Sequence, residues 1–399
     1  MVWLRAGEGC LKVKRVSVFA PMGTLDHQTG ILNAISSFAA AGYAVEVLAV
    51  RNRRFPAPTF ASPAVRVRYM PWTFDAEREP RALGTLLFTA WVLLGFTRAH
   101  PLIFAGGIRG LLAAYAYSLF RRTRIINYQM ELYIGNKLDT RGAWLFKAIE
   151  RRAARRSEIT IEHDERRREL LVADLGVPPD RVLIVPNAPR GPARILESTL
   201  LQRRLGLDQA TPLLLCPGTI AKEFDTATAV RCAQSLPPAW RCVVHSAQPR
   251  AQDDPVVRAL KRQDIGQRVD FSLDPVPYSQ IDELLGSARI GLVLYSREVG
   301  QNTSAVGLAS GKLSHFLRLG VPVIVSPLPG LADFVRENGV GQVLEDPAGA
   351  GELVAQIEAD YIGYRKRALR CFDEHLSYDR AFGQVLSMLD QWCLAGTRT

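Results

Sequence analysis

Short runs of apolar, β-branched residues alternate with longer amphipathic stretches along nearly the whole chain. Val16 to Ala20 is such a run, and its β-branched and aromatic content predicts a strand. A loop with Gly23 and Gly30 follows, then a helical pattern from Ile31 to Ala41 that Gly42 ends, then an apolar run from Ala44 to Val50. Strand, helix and strand in this order require a parallel pair joined by a helical crossover. Runs at Leu102–Phe104, Arg124–Tyr128, Glu158–Ile161 and Val182–Val185 continue the series. Three prolines and a glycine between Pro186 and Pro192 predict a linker. A second series then runs through Leu213–Cys216, Arg241–Ser246, Val269–Phe271, Ile290–Tyr295, Val321–Val325 and Gln342–Leu344. From Gly349 to Trp392 the pattern is helical, with a break near Ser377. The prediction is an α/β chain of two doubly wound, Rossmann-like domains, residues 1–190 and 191–375. A C-terminal helix over 376–399 is expected to pack back toward the first domain. Ligands of such sheets bind beyond the carboxyl ends of the strands, so two facing domains share one cleft.

Composition adds a constraint and charge adds a question. With 399 residues, 48% of them hydrophobic, the core needs no disulfide or metal to hold it. The net charge of +11 is one-sided: residues 1–190 hold 28 Lys and Arg against 16 Asp and Glu, and the rest hold 22 against 23. A one-sided excess points to a partner met by the first domain. Arg151, Arg152, Arg155 and Arg156 would stripe one helix face, either as a solvated face or as a patch for a membrane surface or polyanion. No RNP-like run, helix-turn-helix signature or basic–aromatic interleave points to nucleic acid. The six cysteines have no zinc spacing and fit a reducing cytosol. Met1 to Lys14 lacks the apolar stretch of a signal peptide. Leu83 to Phe96 is the most apolar segment but is shorter than the about 20 residues a membrane span needs, and it reads as a buried helix.

The segment from Ser310-Gly311-Lys312 to Gly320-Val321-Pro322-Val323 reads as loop, helix, glycine cap and strand. Free N–H groups at such a helix start, with a lysine beside them, suit a phosphate; a Ser-capped helix with a surface lysine has the same spacing. Neither a P-loop nor a GxGxxG fingerprint is present. This segment resembles the donor-site helix of family 4 glycosyltransferases of the GT-B fold. The strand Ala288 to Val293 before it and Pro329-Gly330-Leu331 after it follow the family's order, as do Asn127 to Tyr133, Glu150 to Ile161 and Val185 to Ala188. The resemblance covers roughly residues 14–392. It implies sugar transfer from a nucleotide-diphosphate sugar, such as a UDP- or GDP-sugar, with retention of configuration and no further cofactor.

The resemblance also places residues. Gly23, Gly218, Thr219, Lys222, Ser310, Gly311, Lys312 and His315 would surround the donor, and Asp26, His27 and Glu131 the acceptor. Glu131, Asp26, Lys222 and Lys312 would be the catalytic set. Many members carry two glutamates eight residues apart, and the matching positions here are Gly307 and His315. Met130 replaces the histidine of a His-Glu pair, and only one cation, Lys222, remains after Gly218. The chain has no Asp-x-Asp, so no metal is expected, and lysines with a helix N-terminus would hold the departing diphosphate. The acceptor would be a glycan or lipid-linked glycan, and the basic first domain would meet an anionic membrane at its cytoplasmic face. Two other readings fit the same plan, a nucleotide-sugar hydrolase or epimerase and a non-catalytic membrane-surface protein derived from a transferase.

Overall fold

The computed structural model describes residues 14–52, 57–72, 81–95, 101–132, 134, 141–298 and 301–395. The first sheet contains β1 (Arg15–Ala20), β2 (Ala44–Ala49), β3 (Val65–Tyr69), β4 (Leu102–Gly106), β5 (Arg124–Tyr128), β6 (Ile159–Glu162) and β7 (Val182–Ile184). The second contains β8 (Leu213–Gly218), β9 (Arg241–Ser246), β10 (Val269–Ser272), β11 (Ile290–Val293), β12 (Val323–Val325) and β13 (Gly341–Val343). Strand order is β3-β2-β1-β4-β5-β6-β7 in one and β10-β9-β8-β11-β12-β13 in the other, and every pairing is parallel. The first six positions of the two orders are the same, although no residue-level repeat is visible between the halves. Both are doubly wound, so both faces of each sheet are covered and the central strands are apolar almost throughout.

One face of the first sheet packs Ile31, Ile35 and Phe38 of α1 (Thr29–Ala40). The other packs a layer of α2 (Arg81–Leu93), α3 (Gly107–Ser118), α4 (Arg141–Arg156) and α5 (Glu165–Leu175) through Phe88, Trp91, Leu111, Ala114, Ala153 and Leu171. The strand pattern predicted every strand but β3, whose Val-Arg-Val-Arg-Tyr run alternates because it is an edge strand paired only to β2. The buried helix expected over Leu83–Phe96 is α2, and it is buried along one side. α2 buries Phe88, Trp91 and Val92 but leaves Leu83 and Leu86 exposed; Phe96 lies outside the described residues. The signal-peptide question at Met1 to Val13 also lies outside them. Among the described residues, no helix is long and apolar enough to cross a membrane.

Two features tie the halves together. The last helix, Tyr378–Ala395, crosses back to the first sheet, where the Phe382 ring sits 5.4 Å from Phe38 and 6.5 Å from Phe104. Asp379 on it accepts from Arg190 Nε at 2.8 Å and from the Gly191 N–H at 2.7 Å. The loop after β11 is held by the first half. Leu132 N–H donates to Asn302 Oδ1 at 2.8 Å, Leu308 N–H to Asp164 at 2.9 Å, and Asn187 Nδ2 to Ala309 O at 3.0 Å.

Candidate functional site

A cavity of about 340 Å³ opens between the halves, where the carboxyl ends of both sheets meet. The first half contributes Thr24, His27 and Thr29 from the turn after β1. The second contributes Gly218 and Thr219 from the end of β8, His245 and Gln248 from the end of β9, and Gly311, Lys312 and His315 from the helix Gly311–Arg318. Pro275, Val276, Ile281, Leu284 and Leu285 form an apolar wall beside Tyr278.

Lys312 is the electrostatic centre of this cavity. Ser310 caps the helix, accepting from Leu313 N–H at 3.3 Å, and its hydroxyl shares a hydrogen bond with the Tyr295 hydroxyl at 2.8 Å. That fixes the first turn, where Lys312 is the second residue. Its Nζ lies 4.7 Å from the centre of the Phe224 ring and 4.5 Å from that of Tyr295, and donates to Leu294 O at 3.3 Å. These contacts are a carbonyl and two rings rather than a carboxylate. Burial lowers the ammonium to about 8, against a small opposing effect of Cys216. Gly218 has φ 128°, which L side chains rarely adopt, and a Cβ there would stand 3.6 Å from Lys312 Cδ and 3.7 Å from its Nζ. The glycine therefore leaves backbone and ammonium side by side at the cavity wall.

The histidines take separate roles in the wall. His245 shares a 2.9 Å hydrogen bond between Nδ1 and Ser272 Oγ, and burial lowers it to about 4, so its imidazole is neutral at pH 7. His315 Nδ1 lies 3.7 Å from Asp282 Oδ1, and Asp282 also binds Arg318 and Arg194, each at 2.7 Å. Burial opposes ionisation of Asp282, but the neighbouring His315 and the charge of Arg318 hold its carboxyl well below the usual range. Gly307 has φ 39°, and a Cβ there would fall 2.4 Å from Asp164 Oδ2. A carboxylate from the first half thus fills the space beside the position where the resembled family carries its first glutamate.

The structure brings Gly218, Thr219, Gly311, Lys312, His315 and His27 to this cavity, with Ser310 behind them as the cap. Four of the expected site residues lie away from this cavity. Asp26 and Gly23 line a different, small cavity with Arg51, Asn52 and Tyr69, while His27, the next residue of the turn Leu25–His27, lines the larger one. Asp26 is buried there and burial raises its carboxyl, with the His27 imidazole at 3.4 Å opposing. Lys222 is 75% exposed, pairs with Glu298 at 3.2 Å, and lines a third cavity with Arg297 and Thr228. It starts the turn Lys222–Phe224, and the residue of that turn that reaches Lys312 is Phe224. Glu131 lies at the exposed end beyond β5 and lines none of the three cavities. The sequence reading missed His245, Gln248, Tyr278 and the apolar wall. His245 had a usable signal, a histidine at the carboxyl end of a strand. Among the described residues, no group of three His, Cys, Asp or Glu could hold a metal ion.

Residues 27–188 match the family model of the glycosyl transferase 4-like domain. Among solved structures, a sucrose-phosphate synthase from Thermosynechococcus elongatus is 15% identical, with a TM-score of 0.71 over 96% of this chain and 100% of that one. Anabaena HepE, solved in complex with UDP, is 14% identical with a TM-score of 0.65 over 95% and 100%. WaaG, a glycosyltransferase involved in lipopolysaccharide biosynthesis, is 16% identical with a TM-score of 0.60 over 90% and 95%. No curated protein matches the chain in sequence.

Proposed function

We propose that this chain, a glycosyltransferase of the GT-B fold with a family 4-like first half, moves a sugar from a nucleotide-diphosphate sugar held in the cavity between its sheets. The observation that carries the reading is Lys312, a cation bordering the cavity with a carbonyl and two rings for neighbours. A cation in that setting is completed by an anion. The N–H groups at the start of its helix and the backbone of Gly218 flank the same point, and together they suit a diphosphate. The apolar wall of Val276, Ile281 and Leu284 suits the flat face of a nucleobase, and Tyr278 offers an edge beside it. HepE was solved with UDP-glucose, which favours a UDP-sugar as donor.

Charge develops on the diphosphate as the sugar leaves. Fixed donors aimed at that charge stabilise it without reorganising, and Lys312 with the helix start supplies them with no metal. His27 is the titratable side chain that the first half contributes to the cavity wall, beside Thr24 and Thr29, so an acceptor hydroxyl would enter beside it. The resemblance favours retention of configuration and a glycan or lipid-linked acceptor, in synthesis of a surface polysaccharide or glycolipid at the cytoplasmic face of a membrane. The test is calorimetric binding of UDP, GDP, ADP and their sugars, followed by product analysis with and without acceptor glycolipid. Binding of one nucleoside diphosphate, weakened about 100-fold or more in Lys312→Ala, is the expected result. Absence of any nucleotide binding would overturn the proposal, and sugar released to water with no acceptor preference would replace transfer by hydrolysis.

A further inference from the structure

Helix α4 carries its polarity the wrong way round for a face in water. Its inward side holds Lys147 and Glu150, both buried and paired at 2.9 Å, and Lys147 also pairs with Asp174 of α5. Its outward side over the same turns holds Trp144, Leu145, Phe146 and Ile149, exposed by 62, 55, 44 and 39%. A water-facing helix normally shows the reverse. The buried ion cluster fixes this rotation, because turning the apolar residues inward would leave Asp174 buried and unpaired.

The outward stripe continues as cations. Leu145, Ile149, Arg152 and Arg156 follow one another at helical spacing along one face. Arg152 and Arg156 are exposed. The four-arginine stripe expected from sequence is thereby reduced: Arg151 donates to Asp174 O at 2.8 Å and Arg155 to Leu175 O at 2.9 Å, both holding α5. α3, in the same layer, ends in exposed Leu119 and Phe120, followed by exposed Arg121 and Arg122.

We propose that the outer face of α4 docks on an anionic phospholipid bilayer. Trp144, Leu145 and Ile149 enter the boundary between headgroups and acyl chains, and Arg152 and Arg156 lie at the level of the phosphates. An apolar face alone would suit a protein partner equally. The arginines that extend the same stripe, and the basic excess confined to residues 1–190, select a negatively charged surface. The inference uses no residue of the interdomain cavity and stands apart from the donor reading.

The experiment is flotation of the full chain with vesicles of phosphatidylcholine alone and of phosphatidylcholine mixed with phosphatidylglycerol. Binding is expected on the mixed vesicles and is expected to weaken with salt. Trp144→Ser with Ile149→Ser should lower the partition coefficient about tenfold or more with thermal midpoint and nucleotide binding unchanged. Arg152→Glu with Arg156→Glu should remove the preference for anionic vesicles. Brominated acyl chains should quench tryptophan fluorescence in the wild type and less in Trp144→Phe, a change that leaves packing intact. No binding to mixed vesicles, equal quenching in Trp144→Phe, or a dimer that the Trp144 and Ile149 changes dissolve would each overturn the proposal.

Discussion

Replacing Lys312 by methionine is expected to stabilise the free protein and to cripple donor binding. The ammonium is held at about 8 rather than 10.5. That difference means the charged form is disfavoured in the folded state by roughly 3 kcal/mol. Because the folded value lies below the unfolded one, the penalty is complete below about pH 8 and fades as pH rises toward the unfolded value. Methionine keeps the length and the ring contacts without the charge. Its thermal midpoint should therefore exceed that of the wild type at pH 7, and the gap should shrink between pH 8 and 10.5. A diphosphate reverses the balance. Its negative charge draws the proton back onto Lys312, so binding at pH 9 should take up about 0.9 proton and binding at pH 7 nearly none. Calorimetry in two buffers of different ionisation enthalpy reads the uptake directly. The reasoning fails if uptake at pH 9 is absent in the wild type, or persists in Lys312→Met, or if Lys312→Met melts earlier than the wild type at pH 7.

The Gly307 position gives a second test. Gly307→Ala should cost about 1–3 kcal/mol from its positive φ and its approach to Asp164, and a double-mutant cycle with Asp164→Ala should show positive coupling of about 1 kcal/mol in thermal or denaturant unfolding. Additive costs would mean that the two groups do not compete for space. The placement of the two lysines gives a third: Lys222→Ala should reduce kcat/KM less than Lys312→Ala does, and an equal or larger loss would return Lys222 to the diphosphate.

The sheet order was legible because parallel strands buried on both faces leave uninterrupted apolar runs. β3 was not, since its arginines face outward from an edge. Lys312 and its cap were legible because helix start, capping serine and lysine are neighbours in sequence. The apolar wall was not, because Val276, Ile281 and Leu284 carry no charge or motif and become a site only when the second half meets the first. Asp26 and His27 show a further limit. The two side chains meet at 3.4 Å yet line different cavities, and spacing cannot say which one faces the cleft. Lys222 lies away from the cavity for a similar reason: its turn brings Phe224, not the cation, against Lys312. The displaced carboxylate at Gly307 had no signal at all, because Asp164 lies 143 residues away in the chain.

The return of the last helix has a consequence for how the molecule is made. Phe382 completes an aromatic cluster with Phe38 and Phe104, yet it is synthesised only after the entire second sheet. At a translation rate of about 5–20 residues per second, the face of the first sheet that bears α1 waits on the order of ten seconds or more for its cover. During that interval an apolar surface faces the cell, a natural target for chaperones and a route to misassembly between neighbouring chains. A cut at the Pro186–Pro192 linker would therefore not release a finished first half. The piece would lack the side chains that close its own core, and its boundary in space is not its boundary in sequence.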